Sequence, residues 1–439
     1  MHRPLLVQVK IILLWLILLP IVVGTYLIVW FDRWAKLTFS FPRNVDELSR
    51  KQDWCIRELK KNKVLPADAV IHSYKVTPLN QTIIFRSNAG IVEIEYSSGG
   101  TQQQLKCFAK FAPLMGSVWN KTIFNIQLNH IKEADFNRWF VKDDAAIPAP
   151  KVYCSQVSPY TGHLCLLTEY MDGCKEYMET VYETLPQEHL EAALEGMAAL
   201  HARCWGEKSE RMKKVLPIEH NTVLLMDSIV QYSWSVPARK VLDKSWSLMN
   251  ECETVIHGDS RIGNMMFPSE TGKGRFVLID WQAVRKGKAV YDVAYFLMLS
   301  LHSGHLRAVE EQSLNHYYSY LTAKGVTEYS RLQLEEDYRH ACLCVLVLLS
   351  LPLLSGEVSV EGDAAKIFVW GMEVWRKRME DKFSTFDYVW MAQQYNLTEQ
   401  EAKDAVAEML QVIKKRLDGI YSGNLEAVGN EVKTITRKA

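Results

Sequence analysis

The sequence predicts an α+β chain in two lobes, a β-rich lobe followed by a larger α-rich one, with an N-terminal transmembrane helix. Three observations carry this. Residues 11–31, IILLWLILLPIVVGTYLIVWF, hold no charged side chain. Residues 89–113 alternate apolar and polar around a glycine turn, the period of half-buried strands. From about residue 187 the apolar spacing turns helical, interrupted by a short strand-like island at 254–281.

The first apolar run has about the ~20 residues a helix needs to cross ~30 Å of hydrocarbon. Pro20 and Gly24 are tolerated in membrane helices, and Trp15, Tyr26, Trp30 and Trp34 suit interfacial depth. The run is longer than a signal-peptide core and no A-x-A site follows, so an uncleaved single-pass anchor is expected. Arg3 and Lys10 precede it, whereas Arg33, Lys36, Arg43, Arg50 and Lys51 follow. That bias places the C-terminal body in the cytosol. Sequons at Asn80, Asn120 and Asn396 offer a check, because a glycan at Asn120 would put the body in a lumen. The nine cysteines are scattered without a C-x-x-C pair, which reads as reduced thiols. A net charge of zero gives no pull toward nucleic acid, and no protein partner is implied.

The remaining elements follow in order. Residues 32–65 read as a juxtamembrane linker with a short helix at WCIRELKKN. AGIVEIEY and LKCFAKFAP flank SSGGTQQQ as a β-hairpin. A helical stretch at about 122–141, a break at IPAPKVY and a strand at HLCLLTEYM complete a lobe spanning 66–170. EHLEAALEGMAALHARCW puts Leu190, Leu194, Met197, Leu200 and Cys204 on one stripe, where His201 reads as a core histidine. CLCVLVLLSLPLL, at 342–354, is short and broken by Pro352, so it reads as a buried core helix. Thr398 and Glu401 form a capping box that opens a last helix. The second lobe covers 171–420, with tails at 1–10 and 421–439.

The island at 254–281 carries the chemistry. In VIHGDSRIGNMMF, apolar residues enclose His257, Gly258, Asp259, Ser260, Arg261 and Asn264. The turn SETGKG then joins two short strands, bringing Asn264 and Asp280 to the same end of a hairpin. A carboxylate and an amide oxygen are hard ligands that suit Mg2+, an ion that takes its other oxygens from water and phosphates. Asp259 stands at the neck of the loop, placed to accept a proton from a substrate hydroxyl. That division of labour is phosphoryl transfer, where positioning and charge neutralisation carry the rate. It calls for a strand lysine on the α- and β-phosphates and a helix glutamate to pair with it. Lys110 in CFAKFAP fits the first, with Lys106 on the same face as runner-up, and Glu133 in IKEADFNRWF fits the second. SNAG, with Ser87, Asn88 and Gly90, stands where a nucleotide-covering turn belongs, although it is poor in glycine. Plainer readings stay open: Lys110 as a solvated strand lysine, Glu133 as a surface residue, and Asp292 as the N-cap of VAYFLMLSL. Arg261 touches phosphate, an anionic substrate, or merely a carboxylate.

HGDSRIGN, LIDWQ and GKAVYDVAYFL together resemble the aminoglycoside phosphotransferase and choline kinase-like superfamily, most closely its ecdysteroid kinase-like branch. ALHARCW resembles a further element of that branch. The resemblance spans residues 85–300 and implies a bilobal protein-kinase-like fold from about 66 to 420. It implies that Asp259 is the catalytic base, that Asn264 and Asp280 bind Mg2+, that His257 shapes the loop and that Asp292 braces it. It also implies that the helical second lobe, roughly 300–385, builds the acceptor pocket. H-G-D in place of H-R-D, D-W-Q in place of D-F-G, and the lack of an A-P-E element separate the chain from protein kinases. The expectation is a membrane-anchored kinase using ATP and Mg2+ on a small-molecule hydroxyl. The alternatives are a kinase-fold nucleotide-binding scaffold without turnover and a protein kinase.

Overall fold

A computed structural model describes residues 19–32, 40–79, 88–113, 118, 121–122, 125, 128–142, 144–177, 185–215, 234–249, 251, 253–269, 272–350, 363–420 and 425–436. Residues 19–32 form a helix, α1. At ~1.5 Å per residue it covers only about two thirds of a ~30 Å hydrocarbon core. Among the described residues no helix is long and apolar enough to cross a membrane. The expected span at 11–31 is therefore not found there, and its residues 11–18 lie outside the described part. The end of α1 is tied to the protein instead. Val29 and Asp32 are buried, and Asp32 Oδ2 lies 2.8 Å from His163 Nε2 and 3.7 Å from Lys121 Nζ. Leu19, Ile21, Leu27 and Phe31 stay exposed.

Residues read as linker form α2 (Val45–Arg50) and α3 (Gln52–Lys61). Asn44 caps α2, its side chain accepting from Glu47 N–H at 2.8 Å. Leu48, Trp54, Cys55 and Leu59 pack with the buried face of a five-stranded antiparallel sheet. Its strands are β1 (Val70–Pro78), β2 (Asn88–Ser98), β3 (Thr101–Phe111), β4 (Val152–Val157) and β5 (Leu164–Glu169), in the order β1-β2-β3-β5-β4. The hairpin read from the sequence is present, turning at Ser98 and Thr101. Its alternation buries Val92, Ile94, Cys107, Ala109 and Phe111 on one face. α4 (Asn129–Phe136) continues into a π-helical turn, Asn137–Val141, and stacks Phe136 on Phe140 at 5.0 Å.

The second lobe begins with β6 (Cys174–Glu176), α5 (Gln187–Cys204) and α6 (Val236–Met249). Then come β7 (Thr254–Ile256), β8 (Met265–Pro268), β9 (Val277–Leu278) and β10 (Arg285–Gly287). α7 (Val290–Ser300), α8 (Ser303–Ala323), α9 (Arg331–Ser350), α10 (Asp363–Ser384), α11 (Tyr388–Tyr395), α12 (Glu399–Ile420) and α13 (Leu425–Thr436) complete it. The stripe read on α5 is buried throughout. α9 carries CLCVLVLLS as a core helix, with Cys342, Leu343, Cys344, Val345 and Leu346 all buried. Thr398 and Glu401 form the expected capping box: Thr398 N–H donates to Glu401 Oε2 at 2.8 Å, and Glu401 N–H to Thr398 Oγ1 at 3.2 Å. The chain is thus a mixed α+β fold, a β-rich lobe followed by a larger α-rich one.

Small sheets and side-chain bridges at the lobe junction build the cleft. β8 pairs with β9 through Met265 and Leu278, and β7 with β10 through Ile256 and Arg285. Leu278 N–H donates to Pro148 O at 2.7 Å, and Arg275 Nη2 bonds Glu169 Oε2 at 2.8 Å and Ala149 O at 3.1 Å. The hairpin that carries the polar loop is therefore fastened to the β-rich lobe on its β9 side, through Arg275 and Leu278.

Candidate active site

The alternation that buries Ala109 and Phe111 turns Lys110 to the opposite face of β3, into the cleft. Its Nζ lies 2.7 Å from Glu133 Oε1 on α4 and 2.7 Å from Asp280 Oδ1, just beyond β9. Three residues far apart in sequence meet at one ammonium. Burial works against that charge, but Asp280 and Glu133 outweigh it and hold the Lys110 pKa above the usual lysine value. Burial raises the Asp280 pKa, but Lys110, with Arg261 and His257, outweighs it and holds the carboxyl below the ordinary aspartate value. Burial wins at Glu133, whose carboxyl is pushed up. Lys106, the runner-up, sits farther from the cleft and pairs with Glu93 on β2 at 3.2 Å. Its side chain is 41% exposed against 16% for Lys110.

The polar loop hangs from one buried carboxylate. Asp292 accepts from His257 N–H at 2.6 Å and from Gly258 N–H at 2.9 Å, while its backbone carbonyl accepts from Ser260 Oγ at 2.8 Å. His201 Nε2 approaches the same carboxylate at 3.1 Å, with Tyr317 OH 2.8 Å from its Nδ1. One tautomer satisfies both: Nε2–H donates to the carboxylate and Nδ1 accepts from the phenol. Burial raises the Asp292 pKa, but the bond to His201, the positive potential of the two histidines and the Gly258 N–H outweigh it and depress the value. The N-cap reading of Asp292 does not hold. Ala289 occupies the cap position, and Asp292 is inside the first turn of α7, with its carboxylate turned to the loop. His201 is a core histidine, as read, and it also links α5 to that loop.

Four further features shape the loop. His257 Nε2 lies 2.9 Å from Ile279 O, so it donates, and Nδ1 is left to accept from Asp259 N–H at 3.3 Å. Gly258 has φ +82°, and a Cβ there would stand 2.3 Å from Ala283 O, so the turn takes only glycine. Asn264 Nδ2 donates to Asp259 O at 2.8 Å and to Asp259 Oδ2 at 2.9 Å. Arg261 Nε contacts both Asp259 oxygens, at 3.2 and 3.3 Å. Asp259 thus projects from a loop whose backbone and carboxylate are both held.

Asn264 immediately precedes β8, and its carbonyl accepts from Ile279 N–H at 2.9 Å. That bond puts Asn264 beside the residue before Asp280, the same end of the hairpin, as the sequence predicts. Asp280 has φ +65°, outside ordinary strand geometry, and 26% of its side chain is exposed. Oδ1 takes Lys110, and among the described residues Oδ2 takes Gln282 Nε2 at 3.3 Å. Among the described residues no group of three His, Cys, Asp or Glu side chains could hold a metal. Asn264 and Asp280 nevertheless fit Mg2+, because that ion draws most of its oxygens from phosphate and water. One ammonium between two carboxylates also leaves negative charge in the cleft that a cation offsets.

The remaining site expectations divide. Ser87, like Asn80 and Asn120, lies outside the described residues. Asn88 and Gly90 are not a turn but the first residues of β2, and Ala89 pairs with Lys110, so they stand at the Lys110 end of the sheet. Their own contacts run to α2: Asn88 Oδ1 accepts from Val45 N–H at 3.3 Å, and a Cβ on Gly90 would lie 3.2 Å from Val45 Cγ1. Sequence reasoning missed Trp281 and Tyr295. Trp281 is buried between Phe136, at 4.4 Å, and His257, at 4.6 Å, joining α4 to the loop. Tyr295 on α7 neighbours Asp259; burial and that carboxylate push its phenol well above the usual range. The D-W-Q motif held a signal for Trp281, whereas no spacing marks Tyr295.

Comparison with known proteins bears out the resemblance read from the sequence. The ecdysteroid kinase-like family model matches residues 174–326. An uncharacterized kinase-like protein of Caenorhabditis elegans is 36% identical over 86 residues, 19% of this chain and 23% of that relative's length. Among solved structures, a putative aminoglycoside phosphotransferase from Ralstonia eutropha is similar at 13% identity, covering 82% of this chain and 97% of the other, with a TM-score of 0.41. A microcompartment-associated aminopropanol kinase is similar at 11% identity over 75% of this chain and 98% of its own, with a TM-score of 0.39.

Proposed function

We propose, for a chain that resembles the ecdysteroid kinase-like family over residues 174–326, that it transfers the γ-phosphate of ATP to a hydroxyl of a small molecule. The observation that supports this best is Lys110 held at 2.7 Å by both Glu133 and Asp280. Lys110 would bind the α- and β-phosphates, with Glu133 fixing its position. Asp259 would orient the acceptor hydroxyl and take its proton. Asn264 and Asp280 would hold Mg2+, which when bound supplies charge neutralisation at the β- and γ-phosphates. His257 and Asp292 keep the loop in shape, and Asn88 and Gly90, at the start of β2, would lie over the nucleotide. The helical part of the second lobe, roughly 300–385, would offer the acceptor contacts.

The test uses purified full-length protein with labelled ATP, Mg2+ and a pooled metabolite extract. A phosphorylated small molecule, identified by mass, is the expected product, and Asp259→Ala should abolish its formation while nucleotide still binds. Nucleotide binding with no turnover across the pool would favour the scaffold reading. Phosphate appearing only on protein would favour a protein kinase.

A further inference from the structure

α1 turns its apolar side outward. A helix that packs on a protein and faces water ordinarily buries its apolar stripe and exposes its polar one. Here Asp32 and Val29 are buried, and Thr25 and Val22, one and two turns before Val29, are half-buried on the same side. Leu19, Ile21, Val23, Tyr26, Leu27 and Ile28 fill the remaining arc and are 38–55% exposed. Asp32, the only charged residue of the helix, points inward, with Oδ2 2.8 Å from His163 Nε2. His163 ends the turn between β4 and β5. Ser158 N–H donates to His163 O at 2.8 Å and Gly162 N–H to Ser158 O at 3.1 Å, so the turn is closed. Tyr160, at its tip, is 72% exposed. Two apolar features remote in sequence therefore stand side by side on the surface.

An apolar patch of this breadth marks a binding surface, and charge tells of what kind. Residues 11–31 carry none, whereas Arg3 and Lys10 precede them and Arg33 and Lys36 follow. Cations at both ends of an apolar stretch suit anionic headgroups over acyl chains, and a lipid surface covers a wide arc that a protein groove would have to enclose. Tyrosine suits headgroup depth. Among the described residues no helix is long and apolar enough to cross a membrane, and lying in the interface needs no such length. We propose that α1 and the β4–β5 turn form one surface that docks on anionic lipid. The outward face of α1 enters the boundary between headgroups and acyl chains, Tyr160 seats among the headgroups, and the bond between Asp32 and His163 fixes the two relative to each other. Docking of this kind is independent of phosphoryl transfer.

Full-length protein mixed with vesicles of phosphatidylcholine and phosphatidylserine is floated on a density gradient. Wild type should float with the vesicles. Leu27→Glu should lower the bound-to-free ratio by about tenfold or more, because a carboxylate must then enter the boundary. Tyr160→Glu should lower it by about threefold or more. Val70→Glu, equally exposed but on β1 at the opposite edge of the sheet, should stay within about twofold. Asp32→Ala separates helix from turn, so Tyr160→Glu added to it should weaken binding less than it does alone. Wild type that stays unbound, or equal flotation of all variants, would overturn the proposal. So would a vesicle-free dimer that Leu27→Glu dissolves, since a second copy would then be the cover. Protection of an N-terminal tag from added protease once vesicles are bound would mean a span instead of surface docking. Thermal midpoints matching wild type guard against misfolding, and if Leu27→Glu fails that check, Ile21→Glu takes its place with the same expected loss.

Discussion

Lys110 has one positive charge and two carboxylates within 2.7 Å. Removing it leaves Glu133 and Asp280 facing each other across a partly buried cleft. Lys110→Met should therefore do two things at once. Phosphoryl transfer should fall by about 10²–10³, the usual cost of deleting one preorganised charge at a reacting centre. The acid limb of nucleotide binding should also move, because without the ammonium the Asp280 carboxyl rises toward its ordinary range. A binding titration against pH reads this shift, and an unchanged profile would sink the pairing. Asp280→Asn should weaken Mg2+-dependent nucleotide binding while leaving the fold intact, which calorimetry with and without chelator can separate.

At the scale of elements, the loop between β7 and β8 depends on α7. Asp292 is fully buried and holds two backbone amides and His201. Asp292→Ala leaves those donors buried without their acceptor and should cost about 3–5 kcal/mol, measured by chemical denaturation. Its pKa is depressed in the folded protein. The stability it contributes is therefore complete above the unfolded aspartate value, about 3.9, and is lost as pH falls through the lower folded value. Asp292→Asn should flatten that acid limb. Gly258→Ala tests the turn itself: the added methyl meets Ala283 O, and the positive φ adds strain. A loss of at least about 1 kcal/mol with reduced transfer is expected, and a neutral effect would show that the loop relaxes.

At the scale of the molecule, the site exists only where the two lobes meet. Lys110 and Glu133 come from one lobe, and Asp259, Asn264 and Asp280 from the other. Arg275 to Glu169 and Ala149, and Leu278 to Pro148, bridge them. Mg2+-ATP, contacting both lobes, should stabilise the whole chain by about 2.7 kcal/mol at one hundred times its dissociation constant. Thermal unfolding at graded nucleotide concentrations checks this, and a midpoint insensitive to nucleotide would argue against a shared cleft.

Much of this was legible in the residues. Alternation in LKCFAKFAP separated the buried face of β3 from the face carrying Lys110, because a strand repeats every two residues whatever surrounds it. The HGDSRIGN and LIDWQ stretches marked Asp259, Asn264 and Asp280, because a hairpin of fixed turn length dictates which ends coincide. The capping box at Thr398 is equally local. Less local matters were not readable. An apolar run at 11–31 has the composition of a membrane span, but whether its end packs on protein depends on Asp32 meeting His163, 131 residues away. Asp292 resembled an N-cap because the apolar run VAYFLMLSL follows it, but the helix begins two residues earlier, at Val290, and packing turns its carboxylate toward the loop.

The sequence by itself determined the order of the lobes, the period of each element and the chemical identity of the polar loop, all consequences of local spacing. Tertiary structure alone decided that Lys110 rather than Lys106 joins Glu133 and Asp280, that His201 and Trp281 support the loop, and that Arg261 faces Asp259. Those outcomes depend on distances between residues remote along the chain, which burial of the shared core fixes and no local pattern encodes.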